Sequence, residues 1–378
     1  MNALDELGLL LRPAGGGLYL VSSGRAAQLR LQRRLYGLGD ADGEEAVAAA
    51  HRAALARLAE ARVVLLGVPS DVGAGYLRGA NLGPQAIREA LCEAVPDWPA
   101  RAAAAGVVDA GDVFVVPQLL HDDMVSDAQK TATRAALYRG VAPADAAALP
   151  VSPLSIAERA LDLVFLRAPH AAPVVLGGDH SCAWPVVAAL ARSRARAGAP
   201  PWGIVQPDAH TDLLAERLGV KYCFGSWSYH ANDLLGRGGR LVQVGLRASR
   251  HDRAHWEETL GVRQFWADEC RTRPAAVLDD IVTHLRAAGV SAVYLSNDID
   301  GTDEAWADAT GTPEPGGLEP DFVVELIRRL GRAPGLCGGD VMEVAPPLER
   351  TPGGAARTVA LAARYVRETI AAILGRAV

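Results

Sequence analysis

Three short polar segments carry most of the chemistry this chain can offer. They read Gly177-Gly178-Asp179-His180-Ser181, Asp208-Ala209-His210-Thr211-Asp212 and Ser296-Asn297-Asp298-Ile299-Asp300, each at the end of a run of β-forming residues. Alternation along an extended backbone sets Asp208, His210 and Asp212 on one side, and does the same for Asp298 and Asp300. Carboxylate oxygens suit hard divalent ions, and a minority of imidazoles shifts the choice towards Mn, Fe or Zn. Two such ions about 3.5–4 Å apart, bridged by carboxylates, can share a hydroxide that is nucleophilic near neutral pH. A single strand-end aspartate is usually a cap or turn residue, and a buried histidine is often only hydrogen-bonded. Three clusters of such residues at three strand ends are hard to explain that way. A hydrolytic metal centre is therefore the first expectation.

The elements that must position these clusters are legible as apolar runs. Val63-Val64-Leu65-Leu66-Gly67-Val68 is continuous and ends at Pro69, the pattern of a strand buried on both faces. Similar runs recur at Pro173–Leu176, Trp202–Gln206, Leu241–Gly245 and Ala292–Ser296. Helical segments at Pro84–Ala94, Ala183–Ala197, Pro274–Ala288, Pro320–Arg332 and Arg357–Leu374 alternate with them, predicting an α/β fold with a parallel sheet covered on both faces. Such sheets bind ligands at the carboxyl ends of their strands, so the three clusters should converge on one crevice. Ahead of this region, Gly15-Gly16-Gly17, an alternating Leu18-Tyr19-Leu20-Val21 segment and a basic run through Arg33-Arg34 suggest a small strand-containing appendage. Asp40 to Arg62 reads as a helix capped by Asp40 or Asp42, and residues 113–150 as a loop excursion.

Composition narrows the function classes. The chain has 378 residues, half of them apolar, enough for one large α/β domain or two smaller ones. A net charge of −6 gives no argument for nucleic acid. Five scattered cysteines without a CxxC pair fit a reducing compartment better than a disulfide framework. There is no signal pattern at Met1–Glu6 and no charge-free apolar stretch of roughly 18–20 residues, so no membrane span is expected and the location expected is cytoplasmic.

In these motifs the chain resembles the ureohydrolases, the family of arginase, agmatinase and formiminoglutamase. The GGDHS, DAHxD and SxDxD signatures all occur in family order, the last followed by Thr310-Gly311-Thr312-Pro313-Glu314-Pro315-Gly316-Gly317. Further matches are Arg78-Gly79-Ala80 with Gly83-Pro84 and Ile87-Arg88, and Asp109-x-Gly111-Asp112. The resemblance implies a three-layer α/β/α catalytic domain over residues 62–378 with a mostly parallel central sheet, residues 1–61 forming the appendage and helix. It implies two Mn²⁺ ions, one held by His180, Asp208, Asp212 and Asp298 and the other by His210, Asp208, Asp298 and Asp300. A bridging hydroxide would attack a guanidinium carbon, and urea would leave from an amine. Glu343 matches the family glutamate that pairs with the guanidinium, a contact a carboxylate can make through two parallel hydrogen bonds. Thr312 matches a substrate-loop position, although a turn hydroxyl is the competing reading. A homo-oligomer is implied as well.

The chain departs from the family in informative places. Phe224 stands where family members carry a proton-shuttling histidine, and His230, a little further along, is the candidate to replace it as the acid that protonates the leaving amine. A purely structural His230 is the competing reading. With it, Asp212 completes the pair of candidate catalytic residues. Leu213-Leu214-Ala215-Glu216 and Ala248 replace the polar groups with which arginases hold the α-amino and α-carboxylate groups of arginine. Arginine within a peptide needs no such clamp, and the amino-terminal segment with Arg30, Arg33 and Arg34 could dock a peptide by strand addition or could be a subunit-contact arm. Peptide arginases resemble this profile. Trp227 and Tyr229 could line a pocket or simply pack. The rival readings are a hydrolase of agmatine, free arginine or another small guanidino compound, and a non-catalytic, metal-stabilised binding protein.

Overall fold

The continuous apolar runs become neighbouring strands. The computed structural model describes residues 1–20 and 22–378. Its strands are β1 (Leu11–Arg12), β2 (Val63–Val68), β3 (Val107–Val113), β4 (Ala172–Gly177), β5 (Gly203–Pro207), β6 (Leu241–Leu246), β7 (Arg263–Trp266), β8 (Val293–Asp298) and β9 (Leu336–Met342). Among the described residues they form one sheet in the order β1-β3-β2-β4-β9-β8-β5-β6-β7. Every pairing is parallel except the edge pair β1/β3.

Helices cover both faces, giving a three-layer α/β/α arrangement with a core in each interface. One core joins the helices Pro153–Arg167 and Ala183–Arg196 to the sheet through Leu154, Leu161, Val186 and Leu66. The other is built by the helices Gly83–Ala94, Pro274–Ala287, Pro320–Arg332 and Gly354–Leu374 through Ile87, Ile281, Phe322 and Val366. Each aliphatic side chain so buried contributes roughly 1.5–3 kcal/mol. No helix is long and apolar enough to cross a membrane among the described residues.

The amino-terminal segment is packed into this body. The helix Ala3–Leu10 puts Leu7 and Leu10 into the first core beside Leu55 and Leu58, and Glu6 pairs with Arg159. Leu11 and Arg12 then add to β3, Leu18 makes an isolated bridge to Val115, and Val21 lies outside the described residues. The basic run belongs to a helix, Arg25–Tyr36. The helix expected over 40–62 spans Glu44–Ala56 and is capped by Gly43, because the Asp42 carboxylate is engaged by the N–H of Gly39. The expected excursion at 113–150 contains a helix, Asp127–Leu137, with Ser126 as its cap.

Spatial order matters more for the site than sequence order. β4, β9, β8 and β5 lie side by side, so the segments that follow them share one sheet edge. Two glycines make this approach possible. A Cβ at Gly177 would run into the Met342 sulfur, and one at Gly178 into the carbonyl oxygen of Ser70.

Candidate metal centre

His180 leaves β4, Asp298 ends β8 with Asp300 two residues on, and Asp208, His210 and Asp212 follow β5. Their side chains meet. Nδ1 of His180 lies 2.9 Å from Asp298 Oδ2, 3.3 Å from Asp212 Oδ2 and 3.4 Å from Asp208 Oδ2. Nδ1 of His210 lies 3.1 Å from Asp300 Oδ2 and 3.6 Å from Asp208 Oδ1. Two three-residue groups therefore offer donor atoms within 4.8 Å of one another: His180, Asp208 and Asp212, and Asp208, His210 and Asp300. Asp208 is common to both. Asp298 stands outside these two groups but is the nearest carboxylate to the His180 nitrogen.

Supporting bonds fix the orientation of four of the donors. Ser296 Oγ donates to Asp340, so it is free to accept from Nε2–H of His180 at 3.0 Å. That relay leaves Nδ1 as the nitrogen facing the carboxylates, so loss of its proton would free the lone pair that a ligating histidine requires. Asp208 accepts from the backbone N–H of His210 at 2.7 Å and from Gln206 Nε2 at 2.7 Å. Asp300 accepts from Ala209 N–H and, at 3.0 Å, from the Thr312 hydroxyl. Asp212, in the left-handed region at φ 51°, accepts from Trp227 Nε1 at 3.0 Å.

The charges in this cluster are poorly compensated by the protein alone. Burial, then the charges of Asp300 and Asp208, push Asp298 well above the ordinary carboxylate range. Burial and the Asp208 charge raise Asp212 to about 6. Burial opposes charge on His180, but its bonds to Asp208, Asp212 and Asp298 outweigh this and hold its pKa well above the usual value. His210 is likewise opposed by burial, yet Asp300 and Asp208 raise it to about 12. A buried donor set of imidazoles and carboxylates that holds protons this tightly has the composition to hold divalent cations in their place.

Glu343 follows β9, between the His180 and Asp298 strand ends, with φ 63°. Its Oε1 accepts the backbone N–H of His180 at 2.8 Å, and its own N–H donates to Gly178 O. Burial, then the charge of Asp179, raises its pKa well above the usual value, so a cationic partner would relieve it. His230 lies apart. Its Nε2 is 3.1 Å from the Lys221 carbonyl, and its ring packs against Trp184, Tyr222 and Tyr229. Phe224 lies instead in a cleft of about 550 Å³ with Gly73, Tyr76, Met124, Arg217 and Leu218. Gly73 ties that cleft to the centre, because its N–H donates to Asp179, next to His180.

Sequence reasoning missed Trp227, Ser296 and Asp340 as supports. The signal for Ser296 and Asp340 was a polar side chain on a strand otherwise apolar; Trp227, at the start of a helix far from any strand end, gave none.

Comparisons with known proteins agree with the fold. The Arginase family profile matches residues 61–372. The chain is 30% identical over 295 residues to a guanidinobutyrase of Pseudomonas aeruginosa, covering 76% of this chain and 79% of that one. It is 33% identical over 291 residues to a mitochondrial agmatinase of Gallus gallus, covering 74% and 73%. Among solved structures, the agmatine ureohydrolase of Thermoplasma volcanium superposes with a TM-score of 0.60 at 26% identity, over 84% of this chain and 91% of that one.

Proposed function

Because the chain belongs to the Arginase family, whose members hydrolyse C–N bonds of amidines, we propose that it releases urea from a guanidino group, with arginine inside a peptide as substrate. The observation that carries the hydrolytic reading is the shared Asp208 between two donor groups at adjacent strand ends. His180, Asp208, Asp212 and Asp298 would hold one Mn²⁺, and His210, Asp208, Asp298 and Asp300 the other. When bound, the ion pair supplies a water of lowered pKa as nucleophile. Glu343 orients the substrate: its carboxylate accepts guanidinium N–H groups and keeps the guanidinium carbon facing the donor cluster. Thr312 holds Asp300 through its hydroxyl and so keeps the substrate loop against the centre. His230 is the candidate proton donor from sequence; its ring packing and its bond to the Lys221 carbonyl favour a structural role.

Two features support a peptide. Ala248, whose backbone bridges to His210, offers only a methyl group where a clamp for free α-groups would need polar atoms. Tyr76, Leu218 and Met124 are exposed along the adjacent cleft and could receive apolar flanking residues. A second reading, a small guanidino acid, is favoured by the likeness to guanidinobutyrase. The reading includes a homo-oligomer in the cytoplasm, the latter supported by five free cysteines.

A urea-release panel with Mn²⁺ tests this: free arginine, agmatine, guanidinobutyrate and an arginine-containing peptide. The peptide should exceed free arginine in kcat/KM by about 100-fold, the order of discrimination that added contacts provide. Turnover of a small compound alone sinks the peptide substrate. Metal binding without urea from any compound sinks the enzyme reading in favour of a metal-stabilised binding protein.

A further inference from the structure

Trp227 touches two residues of the candidate metal centre, Asp212 and His180. It opens the helix Trp227–Leu234 and is fully buried. Its Nε1–H, a donor with no acceptor capacity, reaches Asp212 Oδ2 at 3.0 Å. Its ring lies over the imidazole of His180, with centroids 4.5 Å apart and planes 27° from parallel. The start of the same helix adds a third tie, because Tyr229 N–H donates to the carbonyl of Asp212 at 3.3 Å. One side chain thus restrains the carboxylate plane of Asp212 and the ring tilt of His180.

Those two residues belong to one donor group only. The other is secured differently: Asp300 by Ala209 N–H and Thr312, and among the described residues no tryptophan hydrogen-bonds to or stacks on His210 or Asp300. We propose that Trp227 is a positioning residue for a single half of the centre, setting the affinity of the His180/Asp212 half independently of the His210/Asp300 half. This rests on the metal-centre reading above. Groups that orient metal ligands from behind typically change metal affinity by 10–100-fold when removed. A residue serving only the core would instead lower thermal stability and affect both halves alike.

The test is calorimetric titration of metal-free wild type and Trp227→Phe with MnCl₂, followed by electron paramagnetic resonance to separate lone from paired Mn²⁺. Wild type should take up two ions. In Trp227→Phe one binding step should weaken about 10–100-fold while the other moves less than about threefold. At a concentration that gives wild type the paired signal, the variant should give the lone-ion signal. Two unchanged steps, or two equally weakened ones, overturn the proposal while leaving the metal centre intact. Wild type that binds fewer than two ions overturns the metal centre itself and this proposal with it. Should Trp227→Phe not fold, benzothienylalanine at position 227 keeps the shape and lacks the N–H, and the same outcomes decide.

Discussion

Glu343 and His180 are joined across two adjacent strand ends: the glutamate carboxylate accepts the histidine backbone N–H at 2.8 Å. The contact uses one carboxylate oxygen and leaves the other on the side of Gly311, 3.9 Å from where a Cβ there would stand. Glu343→Gln keeps the size and an acceptor but removes the charge that would meet a guanidinium. Urea release should fall at least about 100-fold in kcat/KM, given that a charged hydrogen-bonded pair is broken in a dry site. Mn²⁺ content, measured in parallel, should stay that of wild type. Loss of metal would assign Glu343 to the ligand shell instead.

Removing the metal should destabilise the fold. Four aspartates and Glu343 then share a buried space with only two histidines to compensate them. A ligand at about 100 times its Kd stabilises by roughly 2.7 kcal/mol per site. For two sites on a chain of this size that corresponds to about 7 °C. Scanning calorimetry with chelator and after return of Mn²⁺ checks this; an unchanged Tm would contradict the fit of the donor set.

His230 gives the sharpest test of the sequence reading. Its ring is held by Trp184, Tyr222 and Tyr229 and by the Lys221 carbonyl. His230→Ala should therefore lower Tm by several degrees and leave kcat within about threefold, since general acid catalysis would be worth 10²–10⁴-fold. A drop in kcat of that larger size, with Tm unchanged, would establish it as the proton donor.

The amino-terminal packing carries a pH dependence of its own. His51 is buried with Nε2 2.9 Å from the Ala110 carbonyl. Burial lowers its pKa, against the raising influence of Ala110, Asp109 and Asp112, while Arg12 adds to the lowering. The unfolded chain then binds the extra proton below about pH 6.5, so this contribution to stability is present above that pH and lost as pH falls. In metal-free protein, the Tm difference between pH 7.5 and 5.5 should be larger for wild type than for His51→Gln. The slope difference is at most about 1.4 kcal/mol per pH unit. Equal slopes would mean that folding leaves the proton affinity of His51 unchanged.

What could be read from sequence follows a physical divide. Val63–Val68 has the same bounds in sequence and structure because an uninterrupted apolar run has few alternatives to a buried strand. β9 went unseen: Gly338 and Gly339 break its pattern, and both are needed where the strand passes close to Pro173 and Leu295. β3 was hidden by Asp109 and Asp112, whose carboxylates are matched by the buried Arg88. The three donor clusters were legible because their ligands sit next to one another in sequence. The Trp227–Asp212 bond and the Ser296–Asp340 relay were not, since each exists only once separate segments are packed.

The strand order has a consequence for biosynthesis. β9 is the last strand translated, yet it sits between β4 and β8 at the middle of the sheet. Until it emerges, both of its neighbours present open hydrogen-bonding edges, the kind of surface that invites wrong pairing. A nascent chain lacking residues beyond about 335 therefore holds all six donor residues without the strand that draws them together. Metal loading at the proposed centre would then wait for chain completion, and a truncated transcript would give an aggregation-prone product rather than a weakened enzyme.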